Sequence, residues 1–151
     1  MAETVTYAVP DLRRHPPRSP RVTLGGYVQL PRILDKARAA IAGTLGDYDF
    51  PAPLDRHFYD FNGLADGDLL SLVKRGAGDT EVLIWIQENT TRSTAEIIAW
   101  SAWLAKHAPA DVEMHEWFSA ELIRLAPGRD DIHTYFDLLE LDDHVAFGGS
   151  A

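Results

Sequence analysis

Apolar residues recur at helical spacing in one segment of this chain after another, and each segment is bounded by residues that start or stop helices. Leu30, Ile33, Leu34, Ala37 and Ile41 predict a helix over 31–43. Pro31 falls in its first turn, where the missing N–H has no partner anyway, and Gly43 and Gly46 end it. The turn-rich stretch Asp47 to Pro53 leads to a short helix carrying Leu54, Phe58 and Phe61, stopped by Asn62-Gly63. Asp66 or Asp68 then caps a helix through Leu69, Leu70 and Val73, with Gly76 beyond its end. Asp79 or Thr80 opens another through Val82, Leu83 and Ile86. The run Val82-Leu83-Ile84-Trp85-Ile86 also has the composition of a buried strand, but helical neighbours and the lack of a partner strand favour helix.

Ser93-Thr94-Ala95-Glu96 fits a capping box, and a helix to about His107 follows. Its residues Ile97, Ile98, Trp100, Trp103 and Leu104 occupy more than one face, which predicts the central, most buried helix. Asp111 caps a helix with Met114, Trp117, Phe118, Leu122 and Leu125 on its inner side, closed by Pro127-Gly128. Asp130 or Asp131 is expected to cap the last helix, which packs through Ile132, Tyr135, Phe136 and Leu139 before an acidic, then Gly-rich tail from Leu141. Residues 1–29, with His15-Pro16-Pro17-Arg18-Ser19-Pro20-Arg21 and Gly25-Gly26, cannot form a long helix. Tyr7, Val9, Leu12, Val22, Leu24, Tyr27 and Val28 give this segment enough apolar anchors to be pinned to the body. The expectation is an all-α, compact bundle of six to seven short helices, a helical body of residues 30–151 with an extended Pro/Arg/Gly-rich arm of residues 1–29, forming one domain.

Composition narrows the function more than it names it. At 151 residues, the chain is long enough to bury about two-thirds of its unfolded surface and needs no metal or disulfide to stay folded. With no cysteine, disulfides, thiolate zinc sites, iron–sulfur clusters and cysteine nucleophiles are excluded. The absence of a signal-like apolar stretch and of a long apolar run predicts a cytoplasmic location and no membrane partner. A net charge of −9 argues against nucleic acid as a partner, yet the charge is uneven. Residues 11–38 hold seven Lys/Arg against Asp11 and Asp35, and the remainder from residue 39 holds seven against twenty acidic residues. A basic segment lying across an acidic body is one reading, and an anion site is the other.

The stretch Pro16 to Arg21, Leu24-Gly25-Gly26-Tyr27 and Leu30-Pro31-Arg32-Ile33-Leu34-Asp35-Lys36-Ala37-Arg38-Ala39 resembles the bacterial proteins of domain of unknown function 5069. The likeness continues through Pro53-Leu54-Asp55, Trp85-Ile86, Tyr135-Phe136-Asp137-Leu138-Leu139 and Leu141-Asp142-Asp143, covering most of the chain. The resemblance implies a fold class and no established activity. Members of that family often carry Cys where this chain has Ala52.

On the helix that begins near Pro31, a 100° step places Arg32, Asp35, Lys36 and Ala39 opposite Leu30, Ala37 and Ile41. Either this is a solvated face laced by weak ion pairs, or the arm folds over it and makes a partly desolvated pocket. In the second reading Arg18, Arg21 and Arg32 bind a polar or anionic substrate, while Asp35, Tyr27 or Lys36 moves a proton. Gly25-Gly26 allows a close approach of backbone to ligand and equally marks a turn.

Other constellations are weaker. Glu113, His115, Glu116, His107, Asp131, His133, Asp142, Asp143 and His144 offer metal-ligand chemistry, but Glu113 and His115 point about 200° apart on a helix and no paired ligand motif is present. Asp55, His57, Tyr59 and Asp60 form a possible acid–base cluster, and the four tryptophans sit where core packing is expected. The functional expectation is a small-molecule enzyme using metal-independent acid–base chemistry with no cofactor. The alternative is a non-enzymatic interaction module whose basic arm docks an acidic partner or a second copy of the chain.

Overall fold

The computed structural model describes residues 9–149, so Tyr7, one of the expected arm anchors, lies outside the described residues. Among the described residues there are seven helices and no strand: α1 (Leu30–Ala42), α2 (Pro53–Asn62), α3 (Asp66–Lys74), α4 (Asp79–Asn89), α5 (Thr94–Lys106), α6 (Val112–Leu125) and α7 (Tyr135–Ala146). The ambiguous run at Val82–Ile86 lies within α4. Among the described residues no helix is long and apolar enough to cross a membrane.

Local chemistry sets most helix ends. Gly43 closes α1 in a left-handed conformation, its N–H reaching the Ala39 and Ala40 carbonyls. At α5 the Ser93 hydroxyl accepts from the Glu96 N–H at 3.1 Å, and the Glu96 carboxylate accepts from the Ser93 N–H at 3.0 Å. Asp111 accepts from the Met114 N–H at 2.8 Å to start α6. The last helix departs from expectation at both ends. Thr134 with Asp137 caps it, while Asp131 is taken up by Arg129 at 2.6 Å. It runs on to Ala146 because Leu141 and Val145 extend the apolar stripe that packs on α6.

Two apolar clusters organise the bundle. The larger draws on the end of the arm, α1 to α5, and Phe136 of α7, while the smaller joins Phe118 and Leu125 of α6 to Leu138 and Leu141 of α7. The central helix is α1 rather than the expected α5, which leaves Ile98 59% and Trp103 47% exposed. Apolar residues on several faces show what a helix tolerates, whereas burial depends on which helix is threaded between the others. α1 packs on α2 and α3 on its apolar side, and its charged side is covered as well.

The arm provides part of that cover. The Leu12 N–H donates to the Thr44 carbonyl at 2.9 Å, and the Gln29 N–H to the Pro20 carbonyl at 2.8 Å. Leu24 and Tyr27 exchange backbone hydrogen bonds of 3.0 Å around the Gly25-Gly26 turn, whose Gly26 carbonyl accepts from Ser101 at 2.7 Å. Gly25 has φ 59°, and a Cβ added there would lie 2.4 Å from Leu83 Cδ1. The pair therefore serves a turn packed against α4 and α5. Gly25→Ala should destabilise the protein by about 1–2 kcal/mol from the left-handed backbone alone, read as a lowered midpoint in urea unfolding; an unchanged midpoint would refute this role.

Candidate functional site

The six residues singled out on charge and spacing are distributed over several partners. Arg18 forks onto Asp35, with Nη2–Oδ1 at 3.1 Å, and onto Asp79 of α4, with Nη1–Oδ2 at 2.7 Å. Arg21 pairs with Asp137 and Glu140 of α7 at 2.5 and 3.1 Å. Arg32, 2% exposed, binds both oxygens of Asp143 at 2.8 and 3.1 Å and donates to the Arg18 carbonyl. Lys36, 3% exposed, donates to Asp55 at 2.5 Å and to the Asp49 carbonyl at 3.3 Å. Tyr27 lies apart from these charges, packed edge-on against Phe58 and Trp100 and donating to Asn62 at 2.9 Å. The structure thus brings Arg18, Asp35 and the Arg32 side chain together and sends Arg21, Lys36 and Tyr27 elsewhere.

The charged side of α1 is desolvated, as the arm-over-helix reading expected, and the cations there are paired with carboxylates. For Asp79, burial pushes the carboxyl pKa up, but the hydrogen bonds from Arg18 and Arg38 outweigh it and hold the value low. Burial lowers the Lys36 pKa, with Asp55 opposing the shift. Guanidinium donors already committed to two carboxylates have little left for a substrate.

A cavity of about 550 Å³ opens instead where the two apolar clusters meet. The start of α2 contributes Ala52, Pro53, Leu54 and His57, and the end of α5 contributes His107. Glu113, Met114 and Trp117 come from α6, and Tyr135, Leu138 and Leu139 from α7. Gln29, at the mouth of α1, completes the wall, and no Lys or Arg lines it. The position singled out by the family resemblance, Ala52, is therefore part of this cavity.

Gln29 is the least ordinary residue in the structure. It is 1% exposed, and among the described residues it alone has a positive φ, 69°, without being glycine. Left-handed backbone costs such a residue on the order of 1–2 kcal/mol. Its Nε2 donates to Asp55 Oδ1 at 2.9 Å, and Asp55 as a carboxylate can only accept, so the orientation of the amide follows. The outward consequence is that Gln29 Oε1 is buried with no hydrogen-bond partner. An unpaired buried carbonyl costs roughly 1–3 kcal/mol. Asp55 itself is saturated by Gln29, Lys36 and the Ala52 N–H at 2.8 Å, which locks the amide in place.

Two imidazoles line the same cavity. The His57 and His107 rings lie 5.4 Å apart, centroid to centroid, and both contact Trp103, at 5.2 and 4.9 Å. Tyr135 packs on His107 at 4.9 Å, and its backbone N–H donates to the His107 carbonyl at 3.0 Å, tying α7 to the end of α5. Burial, with His57 alongside, lowers the His107 pKa from its usual 6.5. Spacing in the sequence hinted at parts of this group, since Trp103 and His107 are one helical turn apart. Nothing in the sequence marked Gln29. Among the described residues no cluster of three or more His, Asp or Glu side chains is arranged to hold a metal ion.

Residues 14–145 match the family described as Domain of unknown function (DUF5069). The chain belongs to that family. No curated protein matches it. The family match spans Gln29, the cavity helices and the α1 ion pairs, so all of these features lie within the family domain.

Two outcomes follow from this geometry. Asp55→Asn strands the Lys36 ammonium in the interior and should cost about 3–5 kcal/mol, measured by urea unfolding, with Lys36→Met in the same chain recovering part of it. A single variant as stable as the parent would show that the pair carries no buried charge. For His107, the folded state holds the ring neutral to a lower pH than the unfolded chain, which binds more protons below 6.5. Stability should therefore fall as pH drops from 6.5 toward the lowered value, and His107→Gln should flatten that slope; an NMR titration placing His107 at or above 6.5 would contradict it.

Proposed function

We propose that this protein binds a small molecule in the cavity between α2, α5, α6 and α7, and that the imidazole pair supplies acid–base chemistry to it. The observation that carries the reading is Gln29: a buried amide in the cavity wall, held in a left-handed backbone, with its carbonyl oxygen unpaired. Strain and an orphaned acceptor at one residue are tolerated where a ligand completes the site. A cavity of about 550 Å³ lined mostly by apolar groups, with a few polar atoms set into it, has the size and character of a small-molecule site. His107, whose pKa is lowered by burial and by His57 alongside, presents a neutral imidazole that can act as a base.

The proposal keeps the reaction class expected from the sequence, metal-independent proton transfer, and moves it from Asp35, Tyr27 and Lys36 to His107 and His57. The rival reading, docking through the basic arm, is less favoured because Arg18, Arg21, Arg32 and Lys36 are already engaged by carboxylates of the body. A cytoplasmic setting belongs to the same proposal.

Titration with 2-phenylethanol, a neutral aromatic alcohol, tests the reading through tryptophan fluorescence, with Trp117→Phe as the control, and thermal denaturation. At a hundred times its dissociation constant it should stabilise the fold by about 2.7 kcal/mol. Ala52→Leu, which adds side-chain bulk at the cavity wall, should weaken the effect. A ligand that uses the imidazoles should bind with a buffer-dependent heat between pH 5.5 and 7 that His107→Gln removes. Failure of neutral and charged aromatic probes alike to shift either signal would end the proposal.

A further inference from the structure

The polar groups of the cavity are unequal in kind, and the inequality bears on what it takes. This step rests on the small-molecule reading above. Gln29 Oε1 is an acceptor without a partner, and the Glu113 carboxylate at the exposed rim of α6 can only accept. No Lys or Arg side chain lines the wall. Lys36, the cation nearest to Gln29 along the hydrogen-bond chain, is not part of the lining and is neutralised by Asp55 at 2.5 Å.

Helix starts carry partial positive charge, but three of those around the cavity hold their own carboxylates. Asp55 accepts from the Ala52 N–H at 2.8 Å, Asp111 from the Met114 N–H at 2.8 Å, and Asp137 from the Thr134 N–H at 3.1 Å. Their partial charges are answered before any ligand arrives. The wall also carries the aromatic residues Trp117 and Tyr135, and the faces of such rings attract cations. A net charge of −9 on the whole chain favours cations at longer range.

We propose that the ligand is an organic amine or ammonium compound with an apolar or aromatic body: its N–H groups meet Glu113 and, once the wall moves to uncover it, the buried Gln29 Oε1, and its body fills the apolar space against Trp117, Tyr135 and Leu139. This reverses the sign of the substrate expected from the sequence, where the basic residues near the arm pointed to an anion. Those residues are answered by carboxylates of the body, and the charged group that lines the cavity is the Glu113 carboxylate.

The test compares three probes of similar shape at pH 7, read by calorimetry and tryptophan fluorescence: 2-phenylethylamine, 2-phenylethanol and 3-phenylpropanoate. The ammonium should bind about tenfold more tightly than the alcohol, with the carboxylate weakest. Added salt should narrow the gap, and Glu113→Gln should bring the amine-to-alcohol affinity ratio close to one. Equal binding of amine and alcohol, or tightest binding of the carboxylate, overturns the assignment of ligand class while leaving a small-molecule cavity in place. Binding of none of the three overturns both.

Discussion

The fold depends on burying the charged side of α1. Arg32, Lys36 and Arg38 project from a helix whose opposite side is already in the main apolar cluster, so the helix has almost no face left for water. Each cation taken out of water must meet a carboxylate, and a different helix delivers each one: Asp143 from α7 to Arg32, Asp55 from α2 to Lys36, and Asp79 from α4 to Arg38. Such pairs add little net stability over apolar packing, because desolvation offsets much of the attraction. Their effect is directional. A helix that rotates or slides leaves a buried charge alone, which confines α2, α4 and α7 to the positions seen.

The arm and the cavity follow from that constraint. Arg18 of the arm answers both Asp35 and Asp79, so residues 9–29 are drawn across α1. The chain then has to turn from the arm into α1, and Gln29 makes that turn in a left-handed conformation with its N–H on Pro20 and its carbonyl on Ile33. Its side chain is captured by the same Asp55 that neutralises Lys36. The ion pair that anchors α2 to α1 is thus also what holds the Gln29 amide in the cavity wall. Stability and the site share one carboxylate.

The pattern of apolar positions was enough for the helices. Capping residues such as Ser93 and Asp111 and stop residues such as Gly43 and Gly63 act within a few residues of themselves, so their consequences can be read locally. The start of α7 was less legible, because Asp131, which looks like a cap, is engaged by Arg129, leaving Thr134 to do the work. The centrality of α1 over α5 was not legible, since both carry apolar residues and only the packing order separates them. For the site, the sequence drew attention to Arg32, Lys36 and Asp35 because charge stands out in a string of letters. The carboxylates that pair with Arg32, Lys36 and Arg18, namely Asp143, Asp55 and Asp79, lie far along the chain, and the pairing that occupies those cations is invisible without them.

By itself the sequence determined the helical class, the approximate helix boundaries and the family, because these rest on local periodicity, capping and motif. Only the tertiary structure decided where the charges are neutralised and where the cavity lies. Gln29, His57, His107 and Glu113 are brought around one space by four different elements, and no spacing along the chain encodes that meeting. A buried acceptor without a partner is defined by what surrounds it, and those surroundings exist only once the chain has folded.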